Sequence, residues 1–191
     1  VTTIVLFHHA QGLTPGISEL GRKIGGRGHV VHTPDYFEGR TFDNILEGYA
    51  YVQERGFDSY DQWAEQKVAE LPTDAVYIGV SLGVRAAQRL AQTRSGARGA
   101  ILIEACLPPD EFGTQWPDEV PVQIHGAQDD PLFALEGDLQ AAQALIEAHA
   151  ATDLHTYPGD KHLFCDSSLP GYDAEATDLL VERVRSFVSR V

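Results

Sequence analysis

Basic residues are scarce in this chain: 14 Lys and Arg stand against 28 Asp and Glu in 191 residues, a formal net charge of −14. That balance excludes nucleic acid and an anionic membrane surface as partners, because either would have to approach a like-charged body. Cysteine is scarce too, with only Cys106 and Cys165, so no disulfide framework is available. None is needed, since a chain of this length removes roughly 70% of its unfolded surface from water on folding, and a reducing cytoplasm is the expected compartment. No apolar run approaches the roughly 20 residues of a bilayer span. The apolar stretch 2–7 is short and runs into His8-His9 instead of a small-residue cleavage site, so no signal peptide is expected. Repeats, low-complexity tracts and linkers are missing as well. One domain over residues 1–191 is therefore expected, as a monomer or small homo-oligomer.

What is present is an alternation of short apolar runs with amphipathic stretches, the pattern of a parallel α/β fold. The runs predict strands over 3–7, 29–33, 75–79, 100–104, 120–125 and 154–157. Between them helices are predicted over 16–25, 60–71, 83–93, 135–148 and 174–188. In the last of these Leu179, Leu180, Val184, Phe187 and Val188 share one face at helical spacing, and that face should pack on the sheet. Residues 35–59 carry only a suggestion of one short helix, from Phe42, Ile45, Leu46, Tyr49 and Tyr51.

The most informative string is Gly79-Val80-Ser81-Leu82-Gly83. It follows an apolar strand and opens an Ala/Leu-rich helix, which is the context of a nucleophile elbow: small neighbours let the backbone turn sharply and leave the serine oxygen exposed. A base and an orienting acid must then lie at the carboxyl edge of the same sheet. After the fifth strand comes Gly126-Ala127-Gln128-Asp129-Asp130-Pro131, and after the sixth Pro158-Gly159-Asp160-Lys161-His162. The resulting order Ser, Asp, His is the one found in α/β-hydrolases. Of the two acids, Asp129 is preferred because it closes the Gly-x-x-Asp turn and leaves Asp130 to start the next element, although an Asp at either position could simply cap that helix. The oxyanion donors should be the amides of Leu82 and of Ala10, the latter in the turn after the first strand. His8 and His9 do not read as a metal pair, because neighbours in an extended loop point apart and no matching ligand set follows. No metal and no cofactor is expected.

With these residues in view the sequence resembles the dienelactone hydrolase family of the α/β-hydrolases. The resemblance runs over nearly the whole chain and rests on Val5-Leu6-Phe7-His8-His9-Ala10-Gln11-Gly12-Leu13, Pro34-Asp35-Tyr36, the elbow, His125-Gly126-Ala127-Gln128-Asp129, Tyr157-Pro158-Gly159-Asp160-Lys161-His162-Leu163-Phe164 and Gly171-Tyr172. It implies a Ser81, Asp129, His162 triad, an oxyanion hole from Ala10 and Leu82, and a reduced, wholly or mostly parallel sheet of about six strands flanked by helices on both faces, without a lid domain; the short connection 106–119 agrees. The family proper carries a cysteine where Ser81 stands and a glutamate where His9 stands. It also carries a substrate-binding arginine where Asp166 stands, so repulsion by Asp166 argues against a dienelactone carboxylate. His9, Tyr36 and Arg85 are the candidates for substrate contact, and Arg40 and Arg85 for any anion.

These readings converge on a serine hydrolase that cleaves a small ester, thioester or lactone without a cofactor. The alternatives are acyl transfer to another acceptor and a ligand-binding module that keeps the fold but not the chemistry. Of the thiols, Cys106, which follows an apolar strand, is expected to be buried.

Overall fold

Six apolar runs pair side by side in the computed structural model, which describes residues 1–113 and 115–191. The strands are β1 (Thr3–Phe7), β2 (Val30–His32), β3 (Val76–Val80), β4 (Gly99–Ile103), β5 (Val122–Ala127) and β6 (Thr152–Tyr157), in the order β2-β1-β3-β4-β5-β6. Every pairing is parallel. Parallel strands need crossovers, and helices supply them: α1 (Pro15–Gly25), α2 (Ile45–Arg55), α3 (Phe57–Val68), α4 (Gly83–Thr93), α5 (Pro131–Leu135), α6 (Asp138–Ala148) and α7 (Ala174–Arg190). The all-parallel sheet with helices on both faces is the architecture the sequence predicts.

The two-residue period of a strand divides the core in two. Val5 and Phe7 join Tyr77, Leu102 and Ile124 under α3, α4 and α6, whereas Ile4 and Leu6 join Val76, Ile78 and Ile101 under α1 and α7. β3 and β4 are buried along their whole length, as expected for central strands covered on both sides. Helix α7 packs through Leu180, Val181, Val184, Phe187 and Val188, but Leu179 is 40% exposed and lies off the predicted face.

Two predicted elements differ. The helix expected over 135–148 starts only at Asp138, as α6, because Gly137 before it adopts a left-handed φ of 108°, and α5 is a separate short helix ahead of it; the helix expected over 60–71 runs over Phe57–Val68. In the poorly legible 35–59 region, Asn44 caps α2 by accepting from the Glu47 amide, and Gly56 with φ 83° separates α2 from α3. Of the connection 106–119, Thr114 lies outside the described residues; the rest contains one short 3-10 helix, Pro109–Phe112.

Phe187 is 2% exposed and lies directly over Gly99 of β4. Phe187→Ala should therefore cost about 3–5 kcal/mol in urea unfolding; a loss below about 1 kcal/mol would contradict this packing.

Candidate active site

The carboxyl ends of β3, β4, β5 and β6 converge on one spot. At the end of β3 the chain turns sharply into α4, and Ser81 takes a φ of 49°, unusual for a residue with a side chain. The Ser81 amide donates to the Ile103 carbonyl at 2.8 Å, and a Cβ added at Gly83 would sit 2.2 Å from the Phe7 carbonyl oxygen, so only glycine lets the elbow seat against β1. Among the described residues four non-glycines have positive φ: Glu38, Ser81, Glu104 after β4 and Leu163 after β6. Backbone strain is concentrated where the reactive groups emerge.

His162 joins the elbow to the loop after β5. Its Nε2 lies 2.8 Å from Ser81 Oγ and its Nδ1 lies 2.6 Å from Asp130 Oδ2. With Nδ1–H donated to the carboxylate, Nε2 is left free to accept the serine proton. The carboxylate that meets His162 is Asp130, and the preference for Asp129 at this position is corrected. Asp129 is exposed, and its amide donates to the Gly159 carbonyl, so the turn carries its side chain outward. Asp130 is fully buried and divides its oxygens: Oδ1 accepts from the Leu132 amide and caps α5, while Oδ2 holds the imidazole. Capping and orienting, weighed as rival readings of an aspartate here, are both performed by one carboxylate.

The imidazole is 10% exposed. Burial works against its charged form, but the Asp130 hydrogen bond and the charges of Glu104, Asp130 and Asp138 outweigh it, so the His162 pKa is raised above the ordinary 6.5. Glu104 is buried, with Oε1 accepting from the Phe164 amide at 3.3 Å and Oε2 without a partner among the described residues. Burial pushes its pKa up to about 7. Sequence reading passed over Glu104; the available signal was a carboxylate ending an otherwise apolar strand at the edge where Ser81 and His162 emerge. Glu104, Asp130 and His162 bring ligand-type atoms within 4.8 Å of one another, but two of those groups are already joined by the His162–Asp130 hydrogen bond.

The turn after β1 is held by a second histidine–carboxylate pair. His9 Nδ1 accepts from the Gln11 amide and His9 Nε2 donates to Asp166 Oδ2 at 2.8 Å, while Asp166 also accepts from Thr14 and Ser168. Both are fully buried. Hydrogen bonds from His9, Ser168 and Thr14 overcome the burial of Asp166 and hold its pKa down at about 2. His9 therefore fixes the turn and does not line the pocket, and Asp166 has no path to substrate; both sequence expectations are corrected. His8 donates from Nδ1 to the His9 carbonyl and accepts from the Tyr36 amide. Tyr36 sits among Phe37, Tyr51, Tyr60 and Trp63, away from Ser81, so it too is withdrawn as a substrate contact.

A cavity of about 540 Å³ opens over Ser81 and His162, lined by Ala10, Ile45, Leu46, Tyr49, Phe57, Leu82, Val84, Leu107 and Leu132, with Arg85, Glu104, Glu111, Glu136 and Asp138. Ala10 and Leu82 both line the cavity that holds Ser81. Helix α2 is seated directly on the Ala10 carbonyl, where a Cβ on Gly48 would lie 1.6 Å from its oxygen. Arg85 reaches the cavity but is already engaged, donating to both oxygens of Asp61 at 2.9 and 2.7 Å and to Glu111 at 3.0 Å. Arg40 is exposed and lies over Phe42 and Tyr51. Cys106 and Cys165 are buried free thiols, and burial pushes Cys106 up to about 12.

The sequence profile of the dienelactone hydrolase family matches residues 1–191. The chain belongs to the dienelactone hydrolase family. It is accordingly a hydrolase of carboxylic esters with the family's α/β-hydrolase fold. Its fold is similar to that of a dienelactone hydrolase-like promiscuous phosphotriesterase from metagenomic libraries, at 18% identity and a TM-score of 0.76 over 99% of this chain and 86% of the other. It is also similar to esterase PE8, at 15% identity and a TM-score of 0.68 over 97% and 92% of the two chains. The esterase domain of a Rhodothermus marinus protein matches at 13% identity and a TM-score of 0.61, over 99% and 87%. No curated protein sequence matches the chain.

Exchanging the two adjacent acids separates their roles. Asp130→Asn should lower kcat/KM on an activated ester by about 10⁴, since the wrong imidazole tautomer is then held, and Asp129→Asn should stay within about threefold. The reverse order of effects would reject the assignment. Glu104 makes a separate prediction for stability. Its folded pKa of about 7 exceeds the ordinary 4.5, so the neutral buried form is favoured and its contribution is lost as pH rises between those values. Glu104→Gln should therefore gain on the parent protein by about 2–4 kcal/mol between pH 4.5 and pH 8 in chemical unfolding. An unchanged difference across that range would contradict a buried neutral acid.

Proposed function

We propose that this family member is a serine esterase that opens a small carboxylic ester, thioester or lactone through an acyl-enzyme on Ser81. The hydrogen-bond chain from Ser81 through His162 to Asp130 beneath an open cavity carries the reading. His162 Nε2 takes the hydroxyl proton as Ser81 Oγ attacks the carbonyl carbon, and the imidazolium returns that proton to the leaving oxygen or sulfur as its bond breaks. Water then enters and gives its proton to His162 as its oxygen attacks the acyl carbon, and the imidazolium returns that proton to Ser81 Oγ as the acyl–serine bond breaks and the acid leaves. Asp130 keeps the imidazole in the required tautomer and balances its transient charge. The Ala10 and Leu82 amides meet the oxyanion; donors of this kind contribute about 2.7–4 kcal/mol each.

The walls argue for the substrate's character. Ile45, Leu46, Phe57, Leu107 and Leu132 offer apolar surface, suited to a short hydrocarbon acyl or alcohol group. Glu104, Glu111, Glu136 and Asp138 add carboxyl groups, and the one cation among the described lining residues, Arg85, is held by Asp61 and Glu111. A substrate carboxylate would find repulsion and no free partner. Discrimination against dienelactone-type acids thus rests on these lining carboxyls and not on the buried Asp166. No helix among the described residues is long and apolar enough to cross a membrane. Two unpaired cysteines support a reducing, cytoplasmic setting.

On 4-nitrophenyl butyrate, Ser81→Ala should lower kcat by about 10⁴ to 10⁶, a barrier change of about 5–8 kcal/mol. A loss below about tenfold would remove Ser81 as nucleophile. Because the His162 pKa is raised, its catalytically competent neutral form gains as pH rises, and kcat/KM should climb to a plateau through a midpoint above the ordinary 6.5. A profile flat from about pH 5 to 8 would exclude His162 as base.

A further inference from the structure

Beyond Ser81, His162 and Asp130, the cavity contains one buried acid that the reaction described above does not use. Glu104 leaves β4 with a φ of 61°, in a conformation that turns its side chain toward the converging strand ends. It lines the cavity with Ser81 and His162, yet it is only 1% exposed and its Oε2 has no hydrogen-bond partner among the described residues. Its carboxylate, that of Asp130 and the His162 ring place one atom each within 4.8 Å of each other. Two carboxylates and one imidazolium at that spacing leave one negative charge in excess, so the ionisation of Glu104 and that of His162 are coupled.

The hydrogen bonds say which carboxyl keeps the proton. Asp130 accepts from both the Leu132 amide and the His162 Nδ1–H, whereas Glu104 Oε1 accepts a long bond from the Phe164 amide and its Oε2 has no partner among the described residues. The charge is compensated on Asp130. From these contacts we infer that Glu104 is a positioning residue that sets the base strength of His162: protonated, it leaves the imidazole governed by Asp130, and ionised, it holds a proton on the imidazole. The inference rests on the role of His162 as base. The other charged or titratable groups facing this cluster among the described residues are Asp138, at the start of α6, which accepts from the Cys106 amide, the buried thiol of Cys165, in the loop after His162, and the buried His9 ring in the turn after β1, which is held by Asp166. None of them has a ligand-type atom in the three-membered cluster. The burial that pushes Glu104 up toward neutrality brings its ionisation into the range of His162, where such coupling matters.

The sign follows directly. An ionised Glu104 favours the imidazolium, so removing that charge must let His162 lose its proton at lower pH. The test is the titration of the His162 ring followed by NMR in the resting protein, identified by its loss in His162→Gln, in the parent protein, Glu104→Gln and Glu104→Ala. This reads the coupling whether or not any ester is cleaved, while the Ser81→Ala assay independently tests the proposed reaction. The midpoint should fall by about one pH unit in both Glu104 variants, and the parent's two-step curve should become a single step. The acid limb of kcat/KM should move down with it. Glutamine keeps the shape and alanine leaves a void, so a shift common to both belongs to the charge. An unchanged midpoint in both, or a shift in only one, would overturn the inference.

Discussion

The hydrogen bond between His162 and Asp130 is the constraint on which the rest of the site depends. A carboxylate removed entirely from water is costly unless its oxygens find donors, and Asp130 finds two, one at the start of α5 and one on the imidazole. This single side chain therefore ties the loop after β5 to the loop after β6, and through His162 to the elbow after β3. The sheet makes the arrangement possible: parallel strands deliver their carboxyl ends to one edge, so residues 81, 130 and 162, each within a few residues of a strand end, meet there.

The site contains the same chemical pair twice, with opposite consequences. His9 and Asp166 are as close as any hydrogen-bonded pair, but both are sealed from the cavity and serve to fix the turn that carries Ala10. His162 and Asp130 differ because the second ring nitrogen reaches Ser81 at the floor of an open cavity. Contact of the second ring nitrogen with Ser81 is what distinguishes the His162 pair from the sealed His9 pair. Strain follows the same division. Residues in positive-φ conformations cost about 1–3 kcal/mol each; Ser81 and Glu104 directly follow the buried strands β3 and β4, and Leu163 directly follows His162.

Much of this was legible in the residues. The strand rhythm, the glycine-flanked Ser81 and the placing of an acid loop and a histidine loop after the fifth and sixth strands follow from local pattern, and the parallel sheet converts that order into proximity. The choice between Asp129 and Asp130 was not legible, because neighbouring residues in a turn point to opposite sides and only the pairing of the Asp129 amide with Gly159 decides which faces inward. His9, Tyr36 and Asp166 were misassigned for a related reason: their positions in sequence place them near the site, but their surroundings depend on tertiary packing, His9 against Asp166 more than a hundred residues away and Tyr36 against Tyr51, Tyr60 and Trp63. The break between α5 and α6 depends on the left-handed backbone of Gly137, and the cavity wall formed by α2 depends on tertiary packing against Ala10.

The central claim is that Ser81 is activated by His162, and the intact mass of the protein after exposure to a fluorophosphonate tests it without presuming a substrate. The account predicts one covalent adduct on the parent protein that is absent from Ser81→Ala and formed far more slowly in His162→Ala. No adduct on the folded parent, or an adduct that persists in Ser81→Ala, would contradict it.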